Sequence, residues 1–194
     1  MDKKTLGALS IVAVTSMFTV GCTIPVRLPL NMLKSGDQEK QQINSDAEKE
    51  LEHLYRLSPK VRGLVSKAKG VLVFPRVFSA GVMVGGEYGR GVLRASGVPQ
   101  AYYRVLADTV GLHAEAQTKT EIILFMTNKK LQQFKESHEW TVGTNVSMVI
   151  LKEGVYQKYD DKRNNDSVIG FVITNAEVSA GASLAGQKIS GINI

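Results

Sequence analysis

An uncharged apolar run, Leu6 to Val20, opens the chain, with Lys3 and Lys4 before it and the small pair Gly21-Cys22 after it. A basic start, an apolar core of about 7–15 residues and a small-residue end are the parts of a secretory signal. The run is short against the ~20 apolar residues of a membrane span. Regular patterning then lapses from Thr23 to Asn44, where Pro25 and Pro29 precede the polar run Lys34 to Gln42. That stretch reads as a flexible tether, able to reach roughly 70 Å when fully extended. Order is expected from Ser45, whose spacing to Glu48 is that of a capping box. Ala47, Leu51, Leu54 and Tyr55 then fall on one helical face. Ser58-Pro59 resembles the cap and first position of a second helix, with Val61, Leu64, Val65 and Ala68 as its stripe and Gly70 as its end.

From Val71 the period shortens. Val71 to Phe74 is expected to form a strand that stops at Pro75, and the segments 81–86 and 91–93 are expected to flank a glycine-rich turn, Gly86-Glu87-Tyr88-Gly89. Further short strands are expected at Ala101 to Leu106, Thr109 to Glu115, Glu121 to Met126, Thr141 to Leu151, Val155 to Tyr159, Val168 to Ile173 and Val178 to Leu184. A helix from Asn128 to about Glu136 interrupts them, with Leu131 and Phe134 inward. The fold class is therefore α+β: short N-terminal helices packed on an antiparallel sheet that closes towards a barrel or sandwich, with one further helix inserted.

The cysteine content sharpens the reading of the N-terminus. Cys22 is the only cysteine. An exported protein meets oxidising conditions, where cysteines usually pair, so a single one at a cleavage site calls for another role. Thr19-Val20-Gly21-Cys22 resembles the lipobox of bacterial lipoproteins, in which the cysteine is acylated and becomes the new N-terminus. The resemblance implies a lipid attachment at Cys22, and Thr23 in place of aspartate implies the outer membrane, with the domain facing the periplasm. The expected organisation is a signal peptide over 1–21, an anchored tether over 22–44 and one domain over 45–194. The charge of +6 becomes +5 once Asp2, Lys3 and Lys4 are removed. A modest positive balance suits an anionic membrane surface, and export disfavours nucleic acid as a partner.

Charge is unevenly distributed. Between Glu52 and Glu87 there is no acidic residue, whereas Arg56, Lys60, Arg62, Lys67, Lys69 and Arg76 all lie there. A basic amphipathic helix is a membrane-surface signal, and these six residues are the candidate lipid-binding set. Their alternative role is a solvated face that only aids solubility. Enzyme signals are weak. The glycines of 85–91 lack the Lys-Ser/Thr of a P-loop and the spacing of a dinucleotide fingerprint. Ser183 lies in an incomplete nucleophile elbow with no histidine after it, and His113, Glu115 and His138 form no metal motif. The Asp160 to Asp166 cluster has no EF-hand spacing and reads as a turn. No catalytic residue, metal or cofactor is expected. Trp140, Tyr102 and Tyr103 are expected in the core or in cross-strand pairs.

The strings Lys67-Ala68-Lys69-Gly70-Val71-Leu72-Val73-Phe74-Pro75 and Gly81-Val82-Met83-Val84-Gly85-Gly86-Glu87-Tyr88-Gly89-Arg90-Gly91 resemble the SYLF-domain family, also called the Las17-binding or actin-regulator family. Val110-Gly111-Leu112 to Ala116-Gln117, Leu124-Phe125-Met126-Thr127 and Ser183-Leu184 to Gly186 extend the resemblance over most of Ser45 to Ser190. It implies a non-catalytic lipid-binding domain. In eukaryotic members it also implies phosphoinositide binding near the N-terminal helix and, in some, actin binding. In a bacterial lipoprotein the ligand shifts to other anionic phospholipids. A protein-interaction or structural module in the cell envelope is the alternative.

Overall fold

The computed structural model describes residues 36–143, 147–152, 167–174, 184 and 186–194, and of residues 80–84, 109–117 and 147–152 the backbone alone. Cys22, the segment 23–35, the Asp160 to Asp166 cluster, Ser183 and the strand expected at Val155 to Tyr159 lie outside the described residues, as does 178–183 of the last expected strand. Helix α1 runs over Gly36–Leu57, beginning well before Ser45 and taking in residues 36–44 of the stretch read as tether. Residues 36–44 show no apolar stripe of their own: Ile43 alone among them is buried, and it extends the stripe of Ala47, Leu54 and Leu57 by one turn. Ser45 is mid-helix, so the capping-box spacing there caps nothing. Helix α2 spans Val61–Lys67. Ser58 and Pro59 form a turn ahead of it, with Val61 N–H donating to the Ser58 carbonyl at 3.0 Å. The helix ends at Ala68, two residues before Gly70.

Strands β1 (Gly70–Ala95) and β2 (Val98–Phe125) are one long antiparallel hairpin rather than the string of short strands expected. Its tight turn is Ser96-Gly97, with φ of 51° and 78°, as a two-residue loop between right-twisted strands requires. Pro75 does not end β1. The register shifts between Phe74 and Val77, and a proline is accommodated in a ladder at such a bulge. Nor is Gly86 to Gly89 a turn, since it lies inside β1. A Cβ on Gly91 would come within 2.5 Å of Phe74 Cδ1, and one on Gly89 within 2.8 Å of the Arg76 carbonyl oxygen. The glycines therefore mark where the end of β1 crosses over its own beginning. Absent side chains let the two stretches of backbone approach, and this bend curls the sheet into a half-barrel.

Helix α3 (Asn128–Glu136) lies where its pattern placed it, with the Thr127 side chain accepting from Lys130 N–H at its start. After it come β3 (Glu139–Thr141), β4 (Ser147–Lys152), β5 (Val168–Thr174) and β6 (Lys188–Ile192). The described strands form one sheet. β1 holds one edge of β2, and β6 and β5 share the other, with β3 beside β6 and β4 beside β5. Every pair is antiparallel except β4 with β5. The α+β class and the curling antiparallel sheet stand as expected.

Both faces of the sheet are covered, which explains the near-continuous apolar runs of β1, β2 and β5. Alternate residues go to opposite sides. Val71, Val73, Ile122, Leu124, Ile169, Phe171 and Ile173 pack with α1 and α2 on the outer face. Leu72, Phe74, Ile123, Phe125, Val168 and Val172 pack on the inner face, which α3 closes with Leu131 and Phe134. Four rings meet there. Phe134 lies 4.8 Å from both Tyr103 and Phe125 and 5.3 Å from Trp140, so Trp140 and Tyr103 are core residues. Tyr102 points to the outer face, where its hydroxyl accepts from Asn44 of α1 at 3.0 Å.

Candidate functional site

The six basic residues singled out in the sequence do not act alike. Arg76 leaves the set first. Its guanidinium pairs with Asp46 on α1 at 2.7 Å. Burial works to raise the Asp46 carboxyl, but hydrogen bonds from Gln42 and Lys49 and the Arg76 charge outweigh it and hold the group below the usual carboxylate range. Arg62 reaches back to Glu52 at 3.4 Å and lies over the Tyr55 ring, 4.2 Å from its centroid. Arg56, Lys60, Lys67 and Lys69 are exposed, and none has an acidic partner among the described residues. The acid-free run in the sequence is thus partly neutralised by α1, whose acidic residues precede it in the chain but lie beside it in space.

α2 presents the remaining charge. Val61 and Leu64 are buried against the outer core, so the opposite face of the helix is exposed. Lys60, the residue that caps the helix start, and Lys67 are seven residues apart, two helical turns, and so lie on one side of α2, both exposed at the edge of the buried stripe. Between them Gly63 is open, with nothing within 4 Å of the position a Cβ would take. Two ammonium groups on long stems thus stand at the two ends of α2, with an exposed glycine between them in the chain.

Beside this face a groove of about 540 Å³ opens between α1, α2 and the β1–β2 turn. Leu51, Val65, Ala68 and Val71 give it an apolar wall. Its charged edge holds Glu48 and Glu52 from α1, Arg62 from α2 and Arg94 from β1. Arg94 is the least exposed of these. It pairs with Glu48 at 2.9 Å and donates from Nε and Nη2 to the Gly97 carbonyl, so the hairpin turn holds it in place. Tyr55 stands half-buried in the same groove. Burial pushes its hydroxyl above the ordinary phenol value, though Arg62 and Arg94 pull the other way.

A second polar group lies within the inner face of the sheet. Lys119 stands between Glu87, at 2.8 Å, and Glu121, at 3.0 Å, and Gln187 donates to both carboxylates. Glu121 has no exposed surface, and its Oε2 has no hydrogen-bond partner. Burial pushes Glu121 up, against the opposing pull of Lys119 and Gln187. Burial would lower Lys119, but the charges of Glu121 and Glu87 outweigh it and hold its proton. One lysine between two carboxylates leaves an excess negative charge indoors, and an added proton on Glu121 relieves it.

Neither the groove nor this cluster was read from the sequence. The groove is assembled from α1, α2 and a turn distant in the chain. The cluster had one visible signal, Lys119 and Glu121 at strand spacing just ahead of the apolar run Ile122 to Phe125. His138 is exposed at the end of α3, and no group of three or more His, Cys, Asp or Glu among the described residues is placed to hold a metal. No helix among the described residues is long and apolar enough to cross a membrane. The sequence matches no protein-family model and no curated protein.

Proposed function

We propose that this chain is a bacterial envelope lipoprotein, acylated at Cys22 and held at the periplasmic side of the outer membrane, whose domain binds anionic phospholipid without catalysis. The observation that carries the reading is the exposed face of α2, with Lys60 and Lys67 on either side of open Gly63 and Arg56 and Lys69 nearby in the chain, none neutralised by a described acid. Each Lys or Arg near an anionic leaflet contributes ~1 kcal/mol. A few such charges give a weak contact by themselves. A tether raises the effective concentration of the domain at the membrane, and a weak contact then suffices. The likeness of Lys67 to Pro75 and of Gly81 to Gly91 to SYLF-domain sequences supports the same ligand class.

The test is co-sedimentation of the full chain carrying Cys22→Ser with vesicles of neutral lipid and of neutral lipid mixed with anionic lipid. The difference between the two is the readout, so a uniform contribution from the apolar N-terminal run cancels. Reversal of Lys60, Lys67 and Lys69 to Glu is expected to reduce the anionic excess at least tenfold, whereas Arg76→Glu has a smaller effect because Arg76 is engaged with Asp46. Equal binding to both vesicles, unchanged by the triple reversal, overturns the proposal.

A further inference from the structure

The groove beside α2 is charged differently from the helix face next to it. Its edge carries two arginines, Arg62 and Arg94, and two glutamates, Glu48 and Glu52, and so sums to zero. An anionic headgroup gains from Lys60, Lys67 and Lys69 outside, but inside the groove it meets as many negative charges as positive. The ligand that complements two cations, two anions and an apolar wall is itself both zwitterionic and apolar. We infer that the groove is a binding site for a zwitterionic glycerophospholipid whose headgroup ends in a primary ammonium. The phosphate lies on Arg62 and Arg94, the ammonium on Glu48 and Glu52, and the glycerol and upper acyl carbons on Leu51, Val65, Ala68 and Val71.

Three features support this occupant. The volume, about 540 Å³, is within the ~300–1,000 Å³ typical of small-molecule sites. The Arg62–Glu52 pair spans 3.4 Å between largely exposed side chains, so little is lost when each partner turns to a ligand. Arg94 is the opposite case: little of it is exposed, the Gly97 carbonyl fixes it, and it meets a phosphate with its geometry already set. The same surroundings separate a primary ammonium from a quaternary one. A quaternary ammonium is recognised by open aromatic faces, and the one ring in the groove, Tyr55, is already covered by Arg62. A primary ammonium has N–H groups for the two carboxylates.

The inference shares only its ligand class, phospholipid, with the function proposed above, and the two can fail separately. Phosphorus NMR titration of the full chain carrying Cys22→Ser, with dihexanoyl lipids below their micelle concentration, reads the groove without a membrane surface. Dihexanoyl phosphatidylethanolamine is expected to bind saturably and at least tenfold more tightly than dihexanoyl phosphatidylglycerol or phosphatidylcholine. Free phosphoethanolamine, which leaves the apolar wall bare, is expected to bind at least tenfold more weakly. Ser66→Trp places a bulky ring in the groove from an exposed position and is expected to cost tenfold or more. The double substitution Glu48→Gln and Glu52→Gln, at exposed sites where folding is not at stake, is expected to erase the preference for phosphatidylethanolamine over phosphatidylglycerol. Absent or equal binding of the lipids overturns the groove inference, as does free phosphoethanolamine binding as tightly as the lipid or a titration that neither variant alters. Vesicle binding that depends on Lys60, Lys67 and Lys69 survives that outcome. Conversely, groove binding that persists when vesicles show no charge preference leaves the surface proposal as the one that failed.

Discussion

The two faces of the sheet hold their charges in opposite ways. On the outer face α1 acts as an acidic strap, sending Glu39 to Arg90, Asp46 to Arg76, Glu48 to Arg94 and Glu52 to Arg62, one pair at a time along its length. In each pair at least one partner is substantially exposed, so water shares the work and each contact is weak. On the inner face Lys119, Glu87, Glu121 and Gln187 form one network with little or no contact with water. Removing Lys119 there leaves two carboxylates whose charge nothing else in the network compensates. The outer pairs are replaceable, and for that reason they can be exchanged for ligands. The inner network fixes the fold.

Lys119→Met tests this difference most severely. It strands two carboxylates within the inner face and is expected to lower stability by about 3–5 kcal/mol, the usual cost of breaking a buried pair from one side. Arg76→Met on the outer face is expected to cost no more than about 1 kcal/mol. Urea unfolding of the two variants at one pH gives both numbers. Similar losses would mean that the strap and the inner network are not distinct in kind.

Which of these regions could be read from the sequence follows from how local each one is. Helix α3 was legible because its signal is local: Leu131 and Phe134 set its inward stripe, and the structure adds Thr127 as the cap and Ser137 as the end. The α+β class followed from the change of period at Val71. The course of β1 was not legible. Pro75 and the glycines of 85–91 are the usual punctuation of turns, yet the strand continues through both. What makes them compatible with a strand is a close crossing of Phe74 and Gly91, residues far apart along β1, which no period or turn signal encodes. The candidate site follows the same rule. The basic surface of α2 was visible as a local stripe with lysines flanking it, whereas the neutralisation of Arg76 and Arg62 depends on where α1 lies.

Glu121 offers a subtler probe of the inner network, through pH. Its folded-state pKa is raised, so the folded protein holds the Glu121 proton more tightly than the unfolded chain does. The stabilisation linked to that proton is fully present below the unfolded value and is lost as pH rises through the folded one. Glu121→Gln keeps an acceptor for Lys119 and Gln187 but removes the charge. Its stability is expected to decline less than that of the wild type as pH rises from the ordinary carboxylate range towards neutrality. Denaturant midpoints measured across that range check the slope, and parallel curves for the two proteins would remove Glu121 as the titrating group.

Asp46 gives the smallest effect, and its sign is the reverse. Its pKa is lowered in the folded state because its hydrogen bonds from Gln42 and Lys49 and the Arg76 charge outweigh the burial that would raise it. The stabilisation is therefore present above the unfolded value and is lost as pH falls through the folded one. Asp46→Asn retains a hydrogen-bonding side chain without the charge, and is expected to cost up to about 1 kcal/mol near neutral pH, less in high salt, and nothing once the wild-type carboxylate is protonated. A salt titration at neutral pH and a second series in acid separate these outcomes. The salt dependence matters most, because water and ions reach the outer strap and are kept from the inner network. If Asp46→Asn were insensitive to salt while Lys119→Met grew milder with it, screening would be acting on the wrong face of the sheet.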